Sequence, residues 1–254
     1  MEFHLWRNAT VLLTIDDQKF LIDPMLGEKG SFGPFPWTED TRSNPLVNLS
    51  FSGEELEKQL EEIDAVVVTH LHPDHWDAEA VKILDKNLPI ICPKIIAETI
   101  AENGFINVIP ITSSVSFNGV KLVLTQGKHG SGEIEEKMGT VNGFVFCTEK
   151  ESIYFTGDTI WCDAVKLAIT KHRPSYVVVA AGAATFALGE PVTMSVDQIK
   201  SLGDTFPEVS LIITHLEAVS PCTETRNFIR KEMVSNSSFV HYYIPEDGER
   251  LFLE

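Results

Sequence analysis

The amino-acid sequence predicts an α/β protein made of two β-sheets packed face to face with helices outside. Three observations carry this expectation. Apolar or β-branched runs of strand length alternate with stretches that are apolar at helical spacing. Several of these runs stop at a histidine or an aspartate, as strands do when their ends gather at one edge of a fold. One pattern also occurs twice, Val68-Thr69-His70-Leu71 and Ile213-Thr214-His215-Leu216, each ahead of a helical segment, which suggests two related halves.

Each element has a local reason. Phe3 to Asp23 alternates and breaks at Asp16-Asp17, a hairpin of two strands. Between Gly27 and Pro45 the run Gly30-Ser31-Phe32-Gly33-Pro34-Phe35-Pro36-Trp37 is a loop carrying apolar rings, because proline removes donors and glycine adds backbone freedom. Ser52-Gly53-Glu54-Glu55-Leu56 has the form of a capped helix start, and Ile63 to Thr69 is a strand. Asp77 caps a helix from Ala78 to Lys86 with Ala80, Val81 and Leu84 at helical spacing. Strands follow at Val108 to Ile111, Val115 to Phe117, Lys121 to Gln126, Gly143 to Thr148 and Ser152 to Thr156. The stretch Glu133-Ile134-Glu135-Glu136 between them, like Glu54-Glu55-Leu56-Glu57, is a solvated face or loop. Trp161 to Lys171 is a helix, Tyr176 to Ala181 a run apolar on both faces, and Ser195 opens a helix through Ser195-x-x-Gln198. The chain closes with a strand Leu211 to Thr214, a helix Pro221 to Val234, a strand Phe239 to Ile244 and a turn Glu246-Asp247-Gly248.

Composition narrows the class. A chain of 254 residues with 43% hydrophobic content suits one compact domain spanning 1–254, and no apolar run approaches membrane-spanning length. Glu2, His4, Arg7 and Asn8 interrupt the segment where a signal peptide would need continuous apolar residues, so a cytoplasmic location is expected. Cys92, Cys147, Cys162 and Cys222 are too scattered for a Cys-x-x-Cys site and read as reduced, structural thiols. A formal charge of −17 without any basic run argues against nucleic acid as the natural partner and favours a small-molecule substrate, with no membrane partner. A homo-oligomer is compatible with such a chain.

The chemistry concentrates in His70-Leu71-His72-Pro73-Asp74-His75-Trp76-Asp77, which follows the apolar run Ala65 to Thr69. Side chains of a strand alternate, so His70 and His72 face the same side and can chelate one metal ion. Asp74 and His75 leave the sheet in the turn and point to a second position, which implies two metals. His129, Asp158 and His215 each stand where a further strand should end, and complete a set of imidazole and carboxylate ligands that suits borderline divalent ions. His4, His172 and His241 fall outside every such motif.

These residues resemble the metallo-β-lactamase fold superfamily, whose five motifs occur here in order: Asp23, His70 to His75, His129, Asp158 and His215. The Trp76-Asp77 ending, Asn8-Ala9-Thr10, Asp23-Pro24-Met25-Leu26 and the stretch from Arg42 to Val47 are similar to the branch that includes ascorbate-6-phosphate lactonase-like proteins. Many members of that branch carry a histidine where Asn8 stands. The resemblance implies a four-layer αββα sandwich of two mixed β-sheets with helices on both outer faces. It also implies that His70, His72 and His129 hold a first metal, that Asp74, His75 and His215 hold a second, that Asp158 bridges them, and that Asp23 braces the site without binding metal.

The expected function is therefore a dinuclear metal-dependent hydrolase with zinc or manganese. A metal-bridging hydroxide, drawn from a water whose pKa falls from about 15.7 toward about 7, would attack a small ester, lactone or phosphodiester. Asp74 is the candidate catalytic residue, orienting the nucleophile and carrying a proton to the leaving group. A flavin-coupled diiron oxidoreductase of this fold would need a carboxylate where His72 stands, whereas a non-catalytic metal-binding or regulatory protein would need the same ligands as the hydrolase. Specificity falls to the loops: Gly27 to Pro45 with Phe35, Trp37 and Arg42 as candidate substrate contacts, Gly130 to Gly139, and Ala181 to Met194.

Overall fold

The computed structural model describes residues 1–234 and 241–254. Strands β1 (Glu2–Arg7), β2 (Thr10–Ile15) and β3 (Gln18–Ile22) come first, followed after the long loop by α1 (Glu54–Glu61), β4 (Ala65–Val67), α2 (Ala78–Ile83), β5 (Ile90–Pro93), α3 (Ala97–Glu102) and β6 (Val108–Ile111). The second half runs β7 (Ser114–Phe117), β8 (Val120–Gln126), α4 (Glu133–Met138), β9 (Asn142–Cys147), β10 (Ser152–Phe155), α5 (Asp163–His172), β11 (Tyr176–Ala180), α6 (Val196–Thr205), β12 (Ser210–Thr214), α7 (Arg226–Val234), β13 (Tyr242–Tyr243) and β14 (Arg250–Phe252).

Two mixed seven-stranded sheets result, in the orders β14-β1-β2-β3-β4-β5-β6 and β13-β12-β11-β10-β9-β8-β7. In each, antiparallel pairing gives way to parallel pairing at one strand: β3 pairs antiparallel with β2 and parallel with β4, and β10 pairs antiparallel with β9 and parallel with β11. Period-two alternation then sorts side chains between two kinds of core. In β4, Ala65 and Val67 face the layer between the sheets, where they join Phe20, Ile22, Phe144, Phe146 and Phe155. Val66 and Val68 face the other way, onto Ala80 and Leu84 of the α2 segment and Ile100 of α3. In the second sheet Val178 and Ile212 point inward, whereas Val177, Val179, Leu211 and Ile213 pack beneath Val165 of α5, Ile199 of α6 and Ile229 of α7. This is the four-layer αββα arrangement expected from the sequence.

Several boundaries differ for identifiable reasons. Phe3 to Asp23 holds three strands rather than two, because a second turn at Asn8 (φ 56) precedes the one at Asp16-Asp17 (φ 48 and 61). Gly53, not Ser52, occupies the N-cap of α1, and no side chain caps that helix. Of the two readings for Glu133 to Glu136, a solvated face or a loop, the structure shows the first: Glu133–Met138 is a helix with Glu133 and Glu136 exposed and Ile134 and Met138 buried on one stripe. The last helix starts at Arg226, not Pro221, since the Phe228 N–H donates to Thr225 Oγ1 (3.1 Å). Within the expected strand Phe239 to Ile244, Phe239 and Val240 lie outside the described residues, and among the described ones Tyr242–Tyr243 is a strand. Asp77 and Ser195 cap α2 and α6 as expected.

The repeated Thr-His-Leu pattern does not mark equivalent places. His70 follows β4, next to the switch strand β3, whereas His215 follows β12, two strands from the switch strand β10. The residues in equivalent places are Asp23, after β3, and Asp158, after β10.

Candidate metal centre

All seven expected ligands converge at one edge of the sandwich, from loops that follow β4, β8, β10 and β12. They form two groups whose ligand atoms lie within 4.8 Å of one another: His70, His72 and His129, and Asp74, His75, Asp158 and His215. Local backbone explains the delivery. Gly157, with φ 65, makes the turn that presents Asp158, and any side chain there would collide with the Asn142 carbonyl. The His75 and Trp76 N–H groups both donate to the His72 carbonyl (2.9 Å each), which coils the motif into a tight turn after β4. Asp77 accepts from Ala80 N–H (2.7 Å) and Gly27 N–H (2.7 Å), so the residue that starts α2 also anchors the aromatic loop.

The two groups differ electrically. In the first, His70 Nε2 lies 3.0 Å and His129 Nε2 3.3 Å from His72 Nδ1. Outward, the His129 Nδ1–H donates to the Val192 carbonyl (3.0 Å) and the His70 Nδ1–H to Thr69 Oγ1 (2.9 Å), which fixes both tautomers so that Nε2 faces inward. Burial pushes all three imidazoles down, His129 to about 4, so they are neutral and carry free lone pairs. In the second group, burial also opposes charge on His75 and His215, but Asp158 together with Asp74 outweighs it and holds both imidazoles well above their usual range. Burial raises Asp158 and Asp74 in turn, and the two imidazolium groups overcome it, so both carboxyls sit below theirs.

A cation fits this geometry. Buried His75 Nε2 and Asp158 Oδ1 lie 3.2 Å apart without hydrogen-bond geometry, and neither atom has a hydrogen-bond partner, though His75 Nε2 also lies 3.6 Å from Asp74 Oδ2. Inward-facing lone pairs in the first group likewise repel unless something positive lies between them. His70, His72 and His129 would hold one ion and Asp74, His75 and His215 the other. Asp158 reaches both groups, with Oδ2 3.4 Å from His215 Nε2 and 3.8 Å from His129 Nε2.

Asp23 stands behind the ligands. Its Oδ1 accepts the Thr69 N–H (2.7 Å) and its Oδ2 accepts both the Thr69 hydroxyl (2.7 Å) and the His75 Nδ1–H (2.8 Å). His4 belongs to neither group: it accepts the Trp6 indole N–H at Nδ1 (3.0 Å), and burial with the nearby Arg250 charge pushes it to about 4. His172 and His241 also stand outside both groups, and Cys162 faces Thr159 Oγ1 (3.8 Å) rather than a ligand.

Above the ligands opens a cavity of about 240 Å³. Its floor includes His72, Asp74, His129, Asp158 and His215, and its walls come from the three loops expected to set specificity together with Val219 and Pro221 of the loop after β12. Phe35 and Trp37 are among them, joined by Phe32, Phe186, Met138 and Val192, which the sequence did not single out. Lys137 is the sole ammonium on this lining, and its Nζ lies 5.3 Å over the Trp37 ring. Arg42 does not reach the cavity, because its exposed guanidinium is clamped on Asp40 two residues away (2.6 Å). A larger surface groove of about 1190 Å³ beside α1 and α2 contains none of the ligands. Asn8, which the sequence marked only as part of the branch resemblance, touches Asp74, and Cys222, which it read as a structural thiol, touches His215 (Sγ to Nδ1 3.5 Å), because only the fold brings them there.

Residues 18–216 match the family described as a beta-lactamase superfamily domain. UPF0173 protein YddR of Bacillus subtilis (strain 168) is 38% identical over 252 residues, covering 96% of each chain. A UPF0173 metal-dependent hydrolase of Sulfolobus acidocaldarius is 27% identical over 205 residues, 76% of this chain and 77% of that one. Among solved structures, a possible metal-dependent hydrolase from Veillonella parvula DSM 2008 superposes with a TM-score of 0.94 at 32% identity, covering 100% of this chain and 99% of the other. An isothiocyanate hydrolase from Delia radicum gut bacteria superposes with a TM-score of 0.93 at 30% identity, with the same coverage. The chain belongs to the beta-lactamase superfamily, among its metal-dependent hydrolases.

Proposed function

We propose that the whole chain works as one dinuclear hydrolase domain acting on small, uncharged substrates with an electrophilic carbon: esters, lactones or isothiocyanates. The observation that carries this reading is an apolar, ring-walled cavity opening directly onto the ligand cluster. Apart from the two ions, the cavity offers a phosphodiester's charge only one ammonium, Lys137 over the Trp37 ring, and otherwise apolar walls suited to a neutral substrate. The similar isothiocyanate hydrolase makes a heterocumulene carbon a natural member of the substrate class.

His70, His72 and His129 are the ligands of the first ion in this reading, Asp74, His75 and His215 those of the second, and Asp158 is shared. Two divalent cations, zinc or manganese, would supply Lewis acidity and a water acidified to near neutral pH. The chain's own residues do the rest. Asp23 holds the His75 ring through Nδ1, so that Nε2 keeps its lone pair toward the ion. Asp74, whose carboxylate borders the cavity floor, orients the attacking water and carries its proton to the leaving group. Phe35 and Trp37 hold the apolar part of the substrate and exclude bulk water, and Arg42 has no part in binding. Cytoplasm is the compartment this reading assigns, supported by four cysteines that form no disulfide. Among the described residues no helix is long and apolar enough to cross a membrane.

A panel of an aryl isothiocyanate, 4-nitrophenyl acetate, a γ-lactone and bis(4-nitrophenyl) phosphate, each with metal-loaded and chelator-treated protein, tests the reading. Metal-dependent turnover of one or more neutral substrates, with the phosphodiester slowest, is expected. Preference for the phosphodiester, or turnover that survives chelation, would overturn it. No turnover of any member with both ions bound would favour a non-catalytic metal-binding protein.

A further inference from the structure

Asn8 lies in the turn between β1 and β2, far from the ligand motifs in sequence and against them in space. It is fully buried, with its backbone in the left-handed region (φ 56), where asparagine is among the few residues other than glycine that sit readily. Its carbonyl accepts the backbone N–H of His215 (3.1 Å). Its side-chain Nδ2 faces Asp74, 3.4 Å from the backbone carbonyl and 3.4 Å from carboxylate Oδ2. The amide Oδ1 is buried with no hydrogen-bond partner. One residue thus touches two members of the Asp74, His75, Asp158, His215 group and leaves half of its own amide unsatisfied to do so.

That arrangement has a physical cost and a direction. An unpartnered buried amide oxygen is unfavourable, and turning the amide over would set that oxygen against the Asp74 carboxylate, which is worse. Both Nδ2 contacts are long for N–H···O bonds, so they do not hold Asn8 in place. The turn and the His215 N–H do that, and the amide is presented to Asp74 by a backbone already fixed. Four of the other six are similarly backed from outside: His70 by Thr69, His75 by Asp23, His129 by Val192 and His215 by Cys222. For Asp74, the two hydrogen-bonding side chains among the described residues are His215, itself a ligand, and Asn8.

We propose that Asn8 is a positioning residue for the second ion. Its amide N–H occupies one lone pair of Asp74 Oδ2 and leaves the carboxylate aimed at the ion, while its carbonyl registers the loop that carries His215. This rests on the dinuclear reading above.

Stepwise titration of metal-stripped protein with Co²⁺, followed by visible absorption and calorimetry, tests it in Asn8→Gly, a substitution compatible with the positive φ. The second equivalent is expected to bind about 10–100-fold more weakly, with the first unchanged and its absorption band intact. A double-mutant cycle separates positioning from a general loss of order: in an Asp74→Ala background, Asn8→Gly should have little further effect on the second equivalent, because Asn8 acts through Asp74. Equal weakening of both equivalents, no change in either, or additive effects in the cycle would overturn the proposal. If the unaltered protein takes up only one equivalent, the dinuclear reading fails and this inference falls with it, an outcome distinct from the other three.

Discussion

Asp23 and Asp158 occupy the same place in the two halves of the molecule, each following the strand at which its sheet changes from antiparallel to parallel pairing. They meet opposite nitrogens of one imidazole, Asp23 at His75 Nδ1 (2.8 Å) and Asp158 at His75 Nε2 (3.2 Å). Yet they do different work. Both oxygens of Asp23 are engaged by Thr69 and His75, three hydrogen bonds that point the carboxylate at the backs of the ligand loops rather than at the space between the two groups. Asp158 keeps Oδ1 without a hydrogen-bond partner, at the floor of the cavity. A carboxylate at a strand end becomes a brace or a ligand according to how far its neighbours have already satisfied it, and sequence position alone does not decide which.

The difference can be broken by substitution. The largest effect is expected for Asp158→Ala, which should weaken both metal equivalents together and reduce turnover to background, whereas His129→Ala should empty mainly one site. Equal behaviour of the two variants in a metal titration would contradict a shared Asp158. Next comes Asp74→Asn, which keeps shape and removes charge: at saturating metal a residual rate deficit of about 10²–10⁴-fold is expected if the carboxylate moves a proton. Full recovery of rate at full occupancy would leave Asp74 as a ligand alone. Asp23→Asn should be milder, lowering affinity about 10–100-fold for the ion on His75, with excess metal restoring turnover. A loss across both equivalents like that of Asp158→Ala would erase the distinction between brace and ligand.

The smallest effect separates the fold's acid sensitivity from the site's. His4 is pushed from 6.5 to about 4 in the folded chain, so between those values the unfolded chain binds a proton that the folded one refuses. Stability contributed by neutral His4 is therefore present above pH 6.5 and is lost as pH falls toward 4, by about 3 kcal/mol at most. His4→Gln, whose amide oxygen can still accept the Trp6 indole N–H, should flatten the acid limb of the metal-free melting curve and leave turnover at neutral pH unchanged. An unaltered acid limb would place the sensitivity elsewhere.

Much of this was legible in the sequence. His-x-His-x-Asp-His stands at a strand end, and His129, Asp158 and His215 also follow apolar runs, so all seven residues of the two groups that could hold metal were legible from local pattern. The two-sheet fold class followed from strand-length apolar runs alternating with helical stretches, and the four-layer sandwich from the resemblance those motifs carry. What escaped notice depends on tertiary contact. Asn8 was marked as a motif position, but not its contact with Asp74 across 66 positions, and Phe186 and Met138 become cavity walls only when separate loops fold together. Strand β5 is four residues ending in Pro93, and its pairing comes from β4 and β6 on either side. Helix α4 is too short for periodicity to register, and its acidic residues mask the Ile134 and Met138 stripe that buries it. The apparent repeat around His70 and His215 misled because both histidines answer the same local demand, a ligand after a buried strand, and not a common place in a duplicated half.

The central claim is that the two groups hold two ions and that turnover requires both. Reconstituting metal-free protein with zinc or manganese in stepwise amounts, while recording bound metal by elemental analysis and turnover on the same samples, tests it most directly. Occupancy should rise to about two equivalents per chain, with turnover appearing as the second site fills. Saturation at one equivalent, or full turnover at one, would contradict it.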